Sequence, residues 1–361
     1  MCQPNRLLPP AGQRALCTGT LYTMLLSTIR TALPRLSPAA VAASARFYST
    51  SSHDASHDVS RLSVVGAGQM VPFALSPPHA EPHTDSSPIQ GLGIALVAAR
   101  TAQVPVTLID NSPASLQKAM TFLLRLLEKE ISKARLTDSD ADAIHARIAT
   151  TTDLSAAAEA DFIIEAVPEI PALKKDLFSR LAELVGSTAT LATNTSSISI
   201  TSIAAAAHGA EDRVVATHFM NPVPVQKGVE IISGLQTSPE TLARAIAFVR
   251  AMGKIPAVSK DAPGFIANRI LMPYINEAVV CLETGVGERD DIDSIMKNGT
   301  NVPMGPLQLA DFIGLDTCLA IMKVLYEDTA DSKYRPATLL KKYVDAGWLG
   351  KKSGKGFYEY K

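Results

Sequence analysis

His218 and Glu230 are the residues in this chain best suited to moving a proton. His218 closes an apolar run, Val214-Val215-Ala216-Thr217-His218, that reads as a short buried strand, and Glu230 follows twelve residues later. Pro222 and Pro224 lie between them and forbid helix there. The chain can therefore double back and set a carboxylate against the imidazole. Such a pair suits reversible proton transfer, because the acid fixes the ring's tautomer and steadies its protonated form. A core histidine capped by a surface turn would have the same local sequence. The elements around the pair have to decide.

The first of these is a glycine turn. Residues 61–66 read as a parallel strand running into Gly66, and Gly66-Ala67-Gly68-Gln69-Met70 begins a G-x-G-x-x-G fingerprint. The third glycine is missing at position 71. In its place stands VPFALSPPHAEPHTDSSPIQ (71–90), with five prolines in twenty residues, which cannot form the helix whose N-terminus should face a pyrophosphate. The chain then resumes as Gly91-Leu92-Gly93-Ile94-Ala95, and deleting 71–90 restores GAGQMGLGIALVAA, strand, turn and helix in order. Valine codons begin with GT and a glutamine codon can be CAG. The segment therefore has the form of an unspliced, in-frame intron; the other reading is a surface loop that still lets Gly91 dock.

A strand is expected over 104–109, ending on Asp110. A carboxylate there can accept from both adenosine ribose hydroxyls and repels a 2′-phosphate, which favours NAD over NADP. A long helix is expected from Ala114 to about Arg135, with a basic far end of Lys129, Lys133 and Arg135. That end is either a solvated tip or a clamp for a polyanionic substrate tail. Further strands are expected over 146–151, 161–167 and 190–193, and an amphipathic helix over 172–184. The last strand ends in Asn194-Thr195-Ser196-Ser197, at the edge where open α/β sheets bind ligands, although such a turn can also be only a helix cap.

The first 53 residues hold Arg6, Arg14, Arg30, Arg35 and Arg46 but no Asp, Glu or Lys. From Met24, Leu25, Leu26, Ile29 and Leu33 form one helical stripe with Ser and Thr opposite. Arginine-rich, serine-rich and acid-free sequence describes a mitochondrial transit peptide, with Arg46-Phe47-Tyr48-Ser49 resembling a matrix-processing site and 51–58 a polar linker. A plain disordered tail is the alternative, and Met24 is a second candidate start. The 361 residues, 47% hydrophobic, are enough for two domains. A net charge of −1 argues against nucleic-acid or membrane-surface binding, and no apolar run is long enough to span a bilayer. Cys2, Cys17, Cys281 and Cys318 lack metal-ligand spacing, so no disulfide framework or metal site is expected. Beyond Lys260 the periodicity turns wholly helical, with helices expected over 265–282, from 290 to 297 and from 307 to 326.

These motifs together resemble the L-3-hydroxyacyl-CoA dehydrogenases, of the 3-hydroxybutyryl-CoA type. The resemblance rests on GAGQM…GLGIA, Asp110, IIEAVPE (163–169), NTSSISIT (194–201), HFMNPVPVQKGVE (218–230), KDAPGFIANRI (260–270), MGPLQLADFIGLD (304–316) and GKKSGKGFYEY (350–360). It runs from about residue 60 to the end. It implies a Rossmann-type NAD-binding domain over 59–258, then an all-helical domain over 259–361 that binds substrate and forms a homodimer. The implied reaction is the reversible oxidation of a (3S)-3-hydroxyacyl-CoA by NAD in the mitochondrial matrix, with no metal. His218 becomes the acid/base and Glu230 its orienting partner, while Ser196 and Asn268 contact the substrate. Gly66, Gly68, Gln69, Met70, Gly91, Asp110, Glu169, Lys174, Ser196, Asn221 and Lys352 would hold the cofactor. Lys133 falls where the family contacts coenzyme A, but a serine that some relatives place on the same helix is Leu126 here.

Two rivals stand beside this reading. A dehydrogenase of free 3-hydroxyacids would share the scaffold but typically uses a lysine base. A non-catalytic dinucleotide-fold protein would follow if the break at 71–90 abolished cofactor binding.

Overall fold

The computed structural model describes residues 57–67 and 90–360; the transit-peptide reading of 1–56, the contacts expected of Gly68, Gln69 and Met70, and segment 71–89 lie outside them. Eight strands form one sheet: β1 (Leu62–Val65), β2 (Val106–Ile109), β3 (Ile148–Thr151), β4 (Phe162–Glu165), β5 (Thr190–Thr193), β6 (Val214–Phe219), β7 (Gly228–Ser233) and β8 (Ile255–Lys260). Their order is β3-β2-β1-β4-β5-β6-β7-β8. Every neighbouring pair is parallel except β6 and β7. The strand order reverses between β1 and β4, which opens a crevice at their C-terminal ends, where such sheets take ligands.

Apolar runs rather than alternation mark the central strands because helices cover both faces. On one face lie α1 (Gln90–Val97), α2 (Pro113–Ser132), α3 (Asp138–Ala146) and α6 (Pro239–Ala251), and on the other α4 (Pro171–Leu184) and the short α5 (Ile200–Ala204). Successive strand residues feed opposite cores: Phe162 and Ile164 join Leu92, Leu123 and Phe248, whereas Ile163 joins Leu177, Phe178 and Ile203. The helix expected from Ala114 starts one residue earlier, at Pro113, because the Ser112 hydroxyl caps it by accepting from the Ser115 N–H at 3.2 Å. Two strands and one helix between Gly228 and Lys260, namely β7, α6 and β8, have no counterpart in the sequence reading.

Past Lys260 come α7 (Ala267–Glu283), α8 (Arg289–Gly299), α9 (Pro306–Ile313), α10 (Leu315–Thr329) and α11 (Thr338–Asp345), which share a third core around Met272, Leu307, Cys318 and Leu340. The single helix expected from 307 to 326 is two. Gly314 stands at φ +103°, outside helical space, so the chain breaks there and α10 leaves in a new direction. The C-terminal hook is latched by the buried Asp311, which accepts from the Phe357 N–H at 2.9 Å, the Tyr358 N–H at 2.8 Å and the Tyr360 hydroxyl at 3.0 Å.

Candidate active site

Strand pairing brings His218 and Glu230 together. They are directly opposite each other on antiparallel β6 and β7, so both side chains leave the same face a few ångströms apart. His218 Nδ1 lies 2.8 Å from Glu230 Oε2. The second carboxylate oxygen accepts from the N–H groups of Ile266 at 2.8 Å and Ala267 at 2.9 Å, at the start of α7. Burial pushes the Glu230 carboxyl up, but the imidazole and these two N–H groups outweigh it and hold the group below the ordinary carboxylate range. An ionised carboxylate only accepts, so the ring proton sits on Nδ1 and Nε2 is left to exchange a proton.

Phe265 walls the imidazole, edge to face, with ring centroids 6.1 Å apart. Its backbone stands at φ +49°, unusual for a bulky residue, just after Gly264 at φ +75°. The residue following the histidine is clamped from two sides. The Phe219 N–H donates to Asn194 Oδ1 at 2.8 Å, and its carbonyl accepts from Gln90 Nε2 at 3.0 Å. Neither Phe265, Asn194 nor Gln90 was assigned a role from sequence, since each acts through a contact between distant elements.

The second arm of the site is the turn after β5. One oxygen of Glu169 accepts from the Thr195 hydroxyl at 2.5 Å, the Ser196 N–H at 2.8 Å and hydroxyl at 3.2 Å, and the Ser197 N–H at 3.0 Å and hydroxyl at 3.1 Å. Asn268, on α7, donates its amide to the Ser196 carbonyl at 3.3 Å. Ser196, His218, Glu230 and Asn268 therefore meet around the first turn of α7. Asp261 ties the same crossing to α5, accepting from the Ser199 hydroxyl at 2.8 Å and the Thr201 N–H at 2.8 Å.

The described part of the glycine turn fits a dinucleotide. Gly66 stands at φ +104° at the end of β1, and a Cβ there would lie 2.7 Å from the Ala166 backbone. A Cβ on Gly91 would fall 1.8 Å from the Gly66 carbonyl oxygen, so only glycine lets α1 pack this close to β1. Asp110, at the end of β2, accepts from the Ala67 N–H at 2.8 Å and the Ser112 N–H at 2.9 Å, which fixes its carboxylate beside the turn. Asn221 is exposed in the turn after β6, where Val223 is buried against Gly93 and the Lys254 ammonium donates to the carbonyls of Val223 and Gln226.

Three further expected contacts are lysines. Lys174 has no exposed surface at all; its ammonium lies between Glu165 at 2.6 Å and Glu169 at 3.3 Å, so it offers a ligand nothing directly. Lys352 pairs with Asp316 at 2.7 Å beside Gly314, within the helical block. Lys133 is exposed at the C-cap of α2. Among the described residues, no group of three or more His, Cys, Asp or Glu could hold a metal ion, and no helix is long and apolar enough to cross a membrane.

Comparison with known proteins converges on one family. The model of the 3-hydroxyacyl-CoA dehydrogenase NAD-binding domain matches residues 89–262, starting at the last two residues of the proline-rich break, and that of the C-terminal domain matches 264–360. A probable 3-hydroxybutyryl-CoA dehydrogenase of Bacillus subtilis is 44% identical over 303 residues, 84% of this chain and 98% of the relative. The mitochondrial hydroxyacyl-coenzyme A dehydrogenase of Homo sapiens is 39% identical over 280 residues, 76% of this chain and 88% of the relative. The crystal structure of (S)-3-hydroxybutyryl-CoA dehydrogenase from Ralstonia eutropha superposes with a TM-score of 0.76 at 41% identity, covering 84% of this chain and 100% of that one. With its glycine turn, its terminal acid and its paired histidine and glutamate, the chain belongs to the NAD-dependent 3-hydroxyacyl-CoA dehydrogenases.

Proposed function

We propose that His218 is the acid/base of this enzyme, acting on a short (3S)-3-hydroxyacyl-CoA such as the one named for its 3-hydroxybutyryl relatives. The observation that carries this reading is the 2.8 Å contact between His218 and Glu230, with Glu230 anchored on α7. His218 Nε2 removes the proton of the C3 hydroxyl, and Glu230 stabilises the imidazolium that forms. When bound, NAD⁺ accepts the hydride released from C3. Ser196 and Asn268 orient the substrate, and in the reductive direction the imidazolium returns its proton to the oxygen. Gly66, Gly91, Asp110 and Asn221, with Gly68, Gln69 and Met70, would hold the nucleotide, and Lys133 would meet the coenzyme A phosphates.

The chain works as a homodimer in the mitochondrial matrix. The acid-free, arginine-bearing N-terminus and the mitochondrial relative support the address. Exposed Ile270, Val286, Ile295 and Phe312 on the helical block support the second copy. Segment 71–90 is absent from the mature protein, which joins Met70 to Gly91. Met70 would then stand before Gly91 in place of Gln90, and the Phe219 carbonyl would lose its amide donor.

The test is reduction of 3-oxoacyl-CoAs of graded chain length, from acetoacetyl-CoA upward, by NADH and by NADPH. It is run with the full chain and with a chain lacking 71–90. Acetoacetyl-CoA and NADH should be preferred, and the shortened chain should bind NADH about tenfold more tightly, because backbone N–H groups at a helix start meet the pyrophosphate. Equal turnover with NADPH would overturn the assignment to Asp110. Transcripts that all retain the segment, with unchanged NADH affinity, would make the loop a true part of the protein.

A further inference from the structure

Lys174, expected to hold the cofactor, is the most deeply buried ammonium among the described residues and presents no surface to a ligand. Its side chain is 0% exposed, as is that of Glu165 at the end of β4. Glu165 is itself fixed, accepting from the Val167 N–H at 2.7 Å and the Thr193 hydroxyl at 2.7 Å as well as from Lys174. The Lys174 ammonium also donates to the Val167 carbonyl at 3.1 Å and pairs with Glu169 at 3.3 Å. The other oxygen of Glu169 receives the five contacts from Thr195, Ser196 and Ser197.

We infer that Lys174 is a positioning residue for Ser196: it keeps Glu169 ionised beside a second buried carboxylate, so that one oxygen of Glu169 can gather the whole 195–197 turn and hold Ser196 against Asn268. The inference rests on the reading that places Ser196 at the substrate. Its logic is electrostatic. A carboxylate accepts from several donors at once and more strongly than a neutral group does. Glu165 and Glu169 both lie within reach of one buried ammonium, and without it two like charges so close would not both stay ionised; one would take up a proton. A protonated Glu169 carries its proton on the oxygen turned away from the turn, and the neutral carbonyl left to the 195–197 donors accepts more weakly than a carboxylate, so the turn loosens. Among the described residues, the charged groups facing Glu169 are Lys174 and, across that ammonium, Glu165; the donors to its other oxygen are hydroxyl and N–H. In the folded protein burial pushes the Glu169 carboxyl up, yet Lys174, followed by the Thr195, Ser196 and Ser197 donors, holds it below its ordinary range.

The experiment measures amide hydrogen exchange of a peptide covering 194–199, together with the pH profile of kcat/KM for acetoacetyl-CoA, in the whole enzyme carrying Lys174→Met. Relative to the wild type at the same pH, exchange should be roughly tenfold faster at mildly acidic pH, the difference between charged and neutral hydrogen bonds, and the ratio should return toward one as pH rises and Glu169 ionises. The kcat/KM should fall with acidification in step. Adding Glu165→Gln removes the competing charge and should restore both readouts toward wild type. A Lys174→Met enzyme with a parallel pH profile and unchanged exchange would overturn the inference. So would one whose main loss is NADH affinity, unrelieved by Glu165→Gln. Should Lys174→Met fail to fold, Glu169→Gln tests the same link: its amide meets donors in either orientation, so exchange should quicken at every pH, and unchanged exchange would overturn the inference. Ser196→Ala is assayed in parallel. Full acetoacetyl-CoA turnover by that variant would refute the role of Ser196 in catalysis while leaving the exchange result to judge Lys174.

Discussion

Glu230 and Asp311 are both buried acids that each accept from two backbone N–H groups, yet their surroundings move them in opposite directions. Glu230 adds an imidazole that can carry positive charge, and its carboxyl is held low despite burial. Asp311 adds a tyrosine hydroxyl, which stays neutral, and has another acid, Asp293, nearby. Burial pushes the Asp311 carboxyl up by more than its three donors pull it down. Counting donors is therefore not enough to say whether a buried acid stays ionised; a partner able to bear charge decides. One acid faces the imidazole of the candidate site and the other closes the C-terminal hook.

The comparison breaks most sharply at the histidine. His218→Gln should lose roughly 10²–10⁴-fold in kcat, the usual worth of a positioned acid/base, while NADH binding changes little. Stopped-flow reduction of acetoacetyl-CoA reads the first and NADH fluorescence the second. Glu230→Gln should approach the same loss. Its amide oxygen would stay with the Ile266 and Ala267 N–H groups, and its NH₂ would donate to Nδ1. The proton would then be forced onto Nε2, leaving the ring no site for the substrate's proton. Glu230→Asp, which keeps the charge, should lose less.

Asp311→Asn should do the reverse. Its amide must turn NH₂ toward an N–H donor of Phe357 or Tyr358, at a cost of roughly 1–3 kcal/mol, so melting temperature should fall while kcat below the transition holds. A variant that kept its melting temperature would show that the hook contributes nothing to stability. The smallest effect lies in pH dependence. Glu230 is lower folded than unfolded, so its stabilisation is present above the ordinary value of 4.5 and is lost as pH falls through the folded value. Asp311 is higher folded than unfolded, so its contribution declines as pH rises from 3.8 through the folded value. Glu230→Gln should therefore flatten the acid limb of stability against pH, and Asp311→Asn the limb above it. Limbs that shift in the same direction in both variants would refute the contrast.

Much of this arrangement was legible in the sequence. The apolar runs before Gly66, Asp110 and Asn194 are strands because helices cover both of their faces, and that condition writes itself as unbroken hydrophobicity. The His218 to Glu230 pairing could be read because two prolines forbid helix between them and let the chain double back. The break at Gly314 was not visible, since apolar periodicity runs smoothly across a glycine whose dihedral only packing determines. The edge strand β8 was missed because Ile255 and Val258 are exposed, so the alternation that marks a half-buried strand is absent, whereas in β7 the buried acid Glu230 interrupts an otherwise apolar run. Lys174 was read as a ligand contact because a lysine in a family motif carries no mark of depth. Its 0% exposure belongs to the fold alone.

That depth also makes Lys174 a built-in gauge. An amine-reactive reagent modifies lysines in proportion to their access to solvent, so Lys133, at the open end of α2, should label in seconds, and Lys174 only from molecules that have opened. The ratio of the two labels, read from a single digest by mass spectrometry, would measure the opened fraction of this enzyme in a crude extract, with neither purification nor a spectroscopic probe.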